Sequence, residues 1–259
     1  MIGMAFRLPA MAFCVFVTAL TGQDAARAQT DEIQVYDATI ADEGQFEVEF
    51  HNNFTPIGRK TATDPQGIVP NHSWNGVPEY AYGVTDWFEA GMYLPVYTIH
   101  DGRAEFDSAK LRALFVSPYA ATRTFFYGIN FELSYNAHHW EPTRFSGEIR
   151  PIAGVHLGDC DLIVNPIVDT DFKGVGRLDF APAERIAYNL NPVWALAVEH
   201  YADFGQFANL QSVHNQAQTL WAVVDYKQED IFNIESGIGH GFTAASDDIV
   251  LKFMVGVDF

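Results

Sequence analysis

The chain has 259 residues, with 33 Asp and Glu against 15 Lys and Arg, for a formal net charge of −18. That charge excludes a nucleic-acid binder, which needs a basic face against phosphates, and a hydrophobic share of 48% with 21 Phe and 11 Tyr excludes global disorder. A mean hydropathy of −0.03, with no apolar run of about twenty residues beyond the amino terminus, excludes a bundle of membrane helices.

Residues Met1–Ala28 have the three-part layout of a cleaved secretory signal. Arg7 gives a positive start, Leu8 to Leu20 is apolar but too short for a permanent anchor, and Ala26-Arg27-Ala28 fits cleavage before Gln29. Cys14 lies inside this segment behind Phe13, which does not suit a lipoprotein cleavage box. Cys160 is then alone, and no intramolecular disulfide is available. Residues 29–43 are acidic, with Ile33, Val35 and Tyr36 among them; they are expected either to lie in the periplasm or to enter the following domain as a small plug.

From residue 44 to 259 the dominant signal is period two, the mark of strands with two unlike faces. Phe46, Val48 and Phe50 alternate with Glu47, Glu49 and His51. Tyr80, Tyr82 and Val84 oppose Glu79, Ala81 and Gly83; Phe88, Ala90, Met92, Leu94 and Val96 oppose Glu89, Gly91 and Tyr93. The clearest case runs from Phe125 to Tyr135, where Phe125, Tyr127, Ile129, Phe131 and Leu133 face away from Asn130, Glu132 and Ser134. Further on, Phe145 and Ile149 oppose Glu148 and Arg150, while Leu196 and Val198 oppose Ala197 and Glu199. Leu220, Ala222, Val224 and Tyr226 oppose Asp225 and Lys227, and Ile234 and Ile238 oppose Glu235 and Gly237. Ile249, Leu251, Phe253, Val255, Val257 and Phe259 close the chain opposite Lys252, Gly256 and Asp258. Less regular strands are expected at 110–117, 162–169 and 185–190, for a total of about twelve.

The connections add a second pattern, long and short in turn. Long ones are expected at Thr55–Ser73, Ile99–Ala109, Ala137–Thr143, Thr170–Glu184, Phe204–Ala217 and Phe242–Asp247. Short ones sit around Thr85-Asp86, Pro118–Thr122, Gly158–Cys160, Asn191-Pro192 and Glu229-Asp230. Outer-membrane barrels segregate their loops in this way, with tight turns on the periplasmic side. The expectation is an all-β, closed antiparallel up-and-down transmembrane barrel, because a sheet in lipid cannot leave an edge unpaired. Its apolar faces meet hydrocarbon and its charged faces a wet lumen, since a lysine or arginine at the lipid midplane costs about 2–4 kcal/mol.

The residues expected to line that lumen are Glu47, Glu49, Glu89, Glu132, Glu148, Arg150, Glu199, Glu235 and Lys252, with Glu79, Arg112, Arg185 and Lys227 nearby. Acids outnumber bases, which predicts a weak preference for cations. Trp87, Phe125, Tyr135, Trp194, Trp221 and Phe259 suit interfacial girdles. The competing fold is a secreted sandwich or soluble barrel, but a soluble core could not absorb the charged faces. For an enzyme the sequence offers little. No GxSxG occurs, His138-His139 is the only adjacent histidine pair, and Gly237-Ile238-Gly239-His240-Gly241 lacks the lysine and helix of a phosphate loop. In a strand those glycines admit a neighbour's large side chain. No cofactor or metal site is expected.

Several stretches carry a family likeness. Glu79-Tyr80-Ala81-Tyr82-Gly83-Val84-Thr85-Asp86-Trp87-Phe88-Glu89-Ala90-Gly91 resembles the strand–turn–strand signature of outer-membrane proteins grouped with the meta-pathway of phenol degradation. The stretch from Gly237 to Phe259 is similar to their closing hairpin, and Val35-Tyr36-Asp37, His51-Asn52-Asn53 and Glu148-Ile149-Arg150-Pro151 also look like stretches of such barrels. The resemblance implies a Gram-negative outer-membrane channel or facilitator for small solutes, hydrophobic or aromatic ones among them. It also implies that Phe259, in register with Val257 and Val255, is the residue read by the barrel-assembly machinery. The alternative is a barrel with an occluded lumen that serves structure or surface interaction.

Overall fold

The computed structural model describes residues 32–228 and 232–259. The expected signal segment, the cleavage point before Gln29 and the turn at Glu229-Asp230 lie outside the described residues.

Twelve strands form the wall: β1 (Phe46–Ile57), β2 (Trp74–Thr85), β3 (Phe88–His100), β4 (Arg103–Val116), β5 (Phe125–Asn136), β6 (Phe145–Leu157), β7 (Cys160–Asn165, resuming at Val168–Thr170), β8 (Asp179–Phe180, resuming at Ala183–Asn189), β9 (Trp194–Asp203), β10 (Ala217–Gln228), β11 (Phe232–Gly241) and β12 (Ile249–Asp258). Each pairs antiparallel with its chain neighbours, and β12 pairs back onto β1, so the meander closes on itself without an edge. Phe46 and Phe259 seal the seam by exchanging backbone bonds of 3.2 and 2.7 Å.

The breaks in β7 and β8 have one cause. Pro166 and Pro182 sit in them, and proline has no N–H to give a ladder. Pairing resumes beyond each break in unchanged register: β6 meets β7 at Ala153–Val164 below and Ile149–Val168 above, while Asn165–Ala183 and Val168–Phe180 join β7 to β8.

The surface is inverted relative to a soluble protein. Val198 is 49% exposed while its neighbour Glu199 is 0% exposed; Leu251 is 39% exposed and Lys252 is 2%. The same alternation exposes Phe50, Phe131, Leu133 and Phe253 and buries Glu89, Glu132, Glu148 and Arg150. An apolar belt around a charged interior is stable only where hydrocarbon surrounds it, and the closed ring satisfies the backbone groups that lipid cannot. The transmembrane barrel expected from period two is the fold observed.

Four expectations need correction. The connection over Ile99–Ala109 is not long: Asp101 and Gly102, at φ of 47° and 73°, turn the chain in two residues, and 103–109 belong to β4. Asp-Gly with both residues at positive φ is the tight hairpin turn whose twist matches the strands. Second, Val96 faces inward at 0% exposure, because the register between β3 and β4 shifts after Tyr93 and changes the phase of the face. Third, Trp221 is 2% exposed and so belongs to the lumen, not to a girdle. It lies beside outward-facing Leu220 and Ala222, so alternation turns it in. A Cβ at Gly239 would stand 2.2 Å from its ring, which explains the glycine opposite. Fourth, the turn around Pro118–Thr122 is not tight; it spans residues 117–124 and contains a short 3-10 turn at Ala120–Thr122.

Candidate functional site in the barrel lumen

Among the side chains projecting into the barrel, three groups join acids to Lys, Arg or His51, apart from a polar network of Asn75, Thr98, Asp107 and His139. Around Glu199 of β9, Arg185 of β8 pairs with Glu199 itself and with Asp225 of β10, and its Nη1 lies 3.0 Å from Glu235 of β11. Lys252 of β12 places Nζ 2.5 Å from both Glu199 and Glu235, and the Tyr201 hydroxyl donates to Glu199 at 2.8 Å. The second group centres on β5 and β6. There Arg150 donates Nε to Glu148 at 2.7 Å, Lys110 stands 3.6 Å from Glu132, and Asn130 donates to Glu132 at 2.9 Å. In the third, Arg112 reaches Glu79 at 2.6 Å and Glu89 at 2.5 Å, while His51 Nε2 is 3.1 Å from Glu79 and 3.8 Å from Glu49. Glu49, His51 and Glu79 could each offer one ligand atom within 4.8 Å of the others, but Arg112 already holds Glu79, so their chemistry is that of an ion-pair cluster.

The nine residues expected to line the lumen fall on the strand faces opposite the exposed apolar belt. Glu89, Glu132, Glu148, Arg150, Glu199 and Lys252 are buried, and Glu47, Glu49 and Glu235 are half-buried. The structure brings Glu199, Glu235 and Lys252 into one cluster and Glu148 and Arg150 into another. Glu47 lies apart from these, at the rim where its register partner is Asp258. Tyr93 is buried on the Glu89 face, where alternation puts it, but sequence reasoning misses Trp221, Asn165 and Glu32. Alternation next to Leu220 is enough to find Trp221; nothing local marks the others.

Of residues 32–43, the stretch up to Ala41 packs against inward-facing side chains, while Thr39, Asp42 and Glu43 are exposed. Glu32, Ile33, Val35, Tyr36, Ala38 and Ala41 are buried. Arg150 Nη1 donates to Glu32 at 3.1 Å and to the Gln34 carbonyl at 3.3 Å, and Lys252 donates to the Ile33 carbonyl at 3.1 Å. Burial opposes ionisation of Glu32, but Arg150, with Lys110 and His51 behind it, outweighs burial and holds the carboxyl at about 2. In the loop before β8, slight burial likewise opposes Asp171. Hydrogen bonds from the Lys173 N–H at 3.0 Å and Arg177 at 2.7 Å overcome it and keep Asp171 below its ordinary value.

Neither a family model nor a curated protein matches the chain. Solved structures do. An outer-membrane channel from Pseudomonas putida F1 aligns at TM-score 0.57 and 12% identity, over 88% of this chain and 100% of that one. The KdgM porin aligns at 0.55 and 9%, over 82% and 99%; the NanC porin aligns at 0.53 and 9%, over 83% and 98%. The specific phenol meta-pathway group is not confirmed by these matches. At such identities the likeness is one of architecture, and the architecture is that of the porin-like barrels of the outer membrane.

Proposed function

We propose that this protein is an outer-membrane channel through which small solutes pass passively, with Glu47, Glu49, Glu89, Glu132, Glu148, Arg150, Glu199, Glu235 and Lys252 along the path. The observation that carries the reading is the charged inner wall. Ionisable side chains from β1, β3, β5, β6, β9, β11 and β12 face one interior, which a barrel meant only for packing would fill with apolar groups. Excess acid along it supports a preference for cations. The names of the structural neighbours, a channel and two porins, support the same reading. Hydrophobic or aromatic solutes remain the class suggested by the sequence resemblance. Phe259, exposed beyond the end of β12, is the residue we expect the assembly machinery to read.

Recording in planar bilayers under a potassium chloride gradient tests the proposal. The expected result is a current whose reversal potential reports cation preference; no current from either the parent protein or the variants below would refute it. One observation favours the alternative of an occluded barrel, namely the chain packed against inward-facing side chains at residues 32–41.

A further inference from the structure

We infer that residues 32–43 are a strap that closes this channel and can leave it, latched at Tyr36. The inference rests on the channel reading.

The strap is held differently from the wall. Between residues 33 and 41 its backbone bonds go to side chains, those of the barrel apart from Asp37, which accepts from the Thr39 N–H at 3.0 Å, and not to another strand. Asn165 clamps Tyr36 from both sides, accepting from its N–H at 2.7 Å and donating to its carbonyl at 3.0 Å. Glu89 accepts from the Ala41 N–H at 2.6 Å, and Lys252 and Arg150 hold the carbonyls of Ile33 and Gln34. Only at its exit does the strap join the wall by backbone, where Gly44 donates to the Gly83 carbonyl at 2.8 Å. Release would therefore break side-chain bonds one at a time and leave every rung of the barrel intact.

The lumen is also shaped for an apolar guest. Leu114, Val116, Phe126, Ile152 and Ile163 break the charged pattern of the interior, and Val35, Tyr36 and Ala38 cover them. A second inward apolar patch, with Trp221, Val223 and Val250, is covered by Ile33. Wetted continuously, such patches would lose the burial that stabilises them. Tyr36 joins the apolar and charged regions. Its ring lies 4.3 Å from the Arg150 guanidinium and 5.7 Å from that of Arg112, and its hydroxyl is 2.5 Å from the Tyr93 hydroxyl.

The test compares bilayer currents of the parent with Tyr36→Ala on the strap, Asn165→Ala on the wall, and Val198→Ala on the lipid face as control. Strap occupancy is read separately by reaction of Val35→Cys, in a Cys160→Ser background, with a soluble thiol reagent. Each latch variant should raise open time about tenfold, the factor expected from losing one buried anchoring contact, and should speed labelling in parallel; the control should do neither. If the parent already conducts as fully as the latch variants, the strap is no gate and the inference fails while the channel stands. If labelling shows the strap released and no current flows, the channel reading fails and the gate with it.

Discussion

Replacing Glu199 with alanine tests the charged interior most directly. Glu199 is 0% exposed and serves Arg185, Lys252 and the Tyr201 hydroxyl at once. Breaking a buried ion pair costs about 3–5 kcal/mol when the surviving charge is stranded. Here neither cation is stranded, because Arg185 keeps Asp225 and Glu235, and Lys252 keeps Glu235 and the Ile33 carbonyl. The expected loss for Glu199→Ala is therefore at the lower end, about 3 kcal/mol. Glu199→Gln keeps the volume and an acceptor for Tyr201, so it should cost less, about 1.5–3 kcal/mol for the charge-assisted bonds alone. Urea unfolding of the barrel in detergent micelles measures both, with Trp221 emission as the probe, since that ring lies 5.5 Å from Lys252 Nζ. Combining Glu199→Ala with Lys252→Met should give a coupling energy of about 0.5–3 kcal/mol. Losses below about 0.5 kcal/mol for both single variants, the range of ordinary surface changes, would show that water screens the cluster and would refute the network.

Val198→Arg, one residue away but in the exposed belt near the middle of β9, should destabilise the barrel in lipid by about 2–4 kcal/mol; an unchanged unfolding midpoint in liposomes would contradict the inverted surface. Gly239→Val should cost about 1–3 kcal/mol by overpacking against the Trp221 ring, visible as a shift in near-ultraviolet circular dichroism with the unfolding midpoint. Glu32 has a lowered folded pKa, so its stabilisation is fully present above its ordinary value of 4.5 and is lost as pH falls toward about 2. Open time in planar bilayers should accordingly stay low at neutral pH and rise only in that acid window; a rise centred near neutrality would refute the Glu32–Arg150 tie.

The parts of this fold legible in sequence are those where local chemistry and tertiary position agree. Along β5 one face is apolar and the other polar through the middle of the strand, and along β12 only Val250 and Met254 interrupt the polar inner face, so alternation sorts Phe131 from Glu132 and Leu251 from Lys252. It misled where the backbone slips: the shift after Tyr93 turns Val96 inward, and no periodicity reports a bulge. Asp101-Gly102 was readable, because that dipeptide is itself a hairpin signal, but the alternating loop lengths argued the other way. The partners within the lumen were beyond local reading. Lys252 meets Glu199 across 53 positions of sequence, and Asn165 meets Tyr36 across 129. Such pairings are set by how the ring closes, and residues 32–43 have no periodicity because side chains rather than a ladder hold them.

Pro166 and Pro182 set one place in the ring apart. The ladders of β1 with β12 and of β3 with both its neighbours slip in register, whereas here two adjacent staves each lose a donor to proline at nearly the same height and the register is kept. Asn165, which bonds both the N–H and the carbonyl of Tyr36, is the residue immediately beside that break, so the inner chain is tied to the wall where two prolines have taken donors out of it.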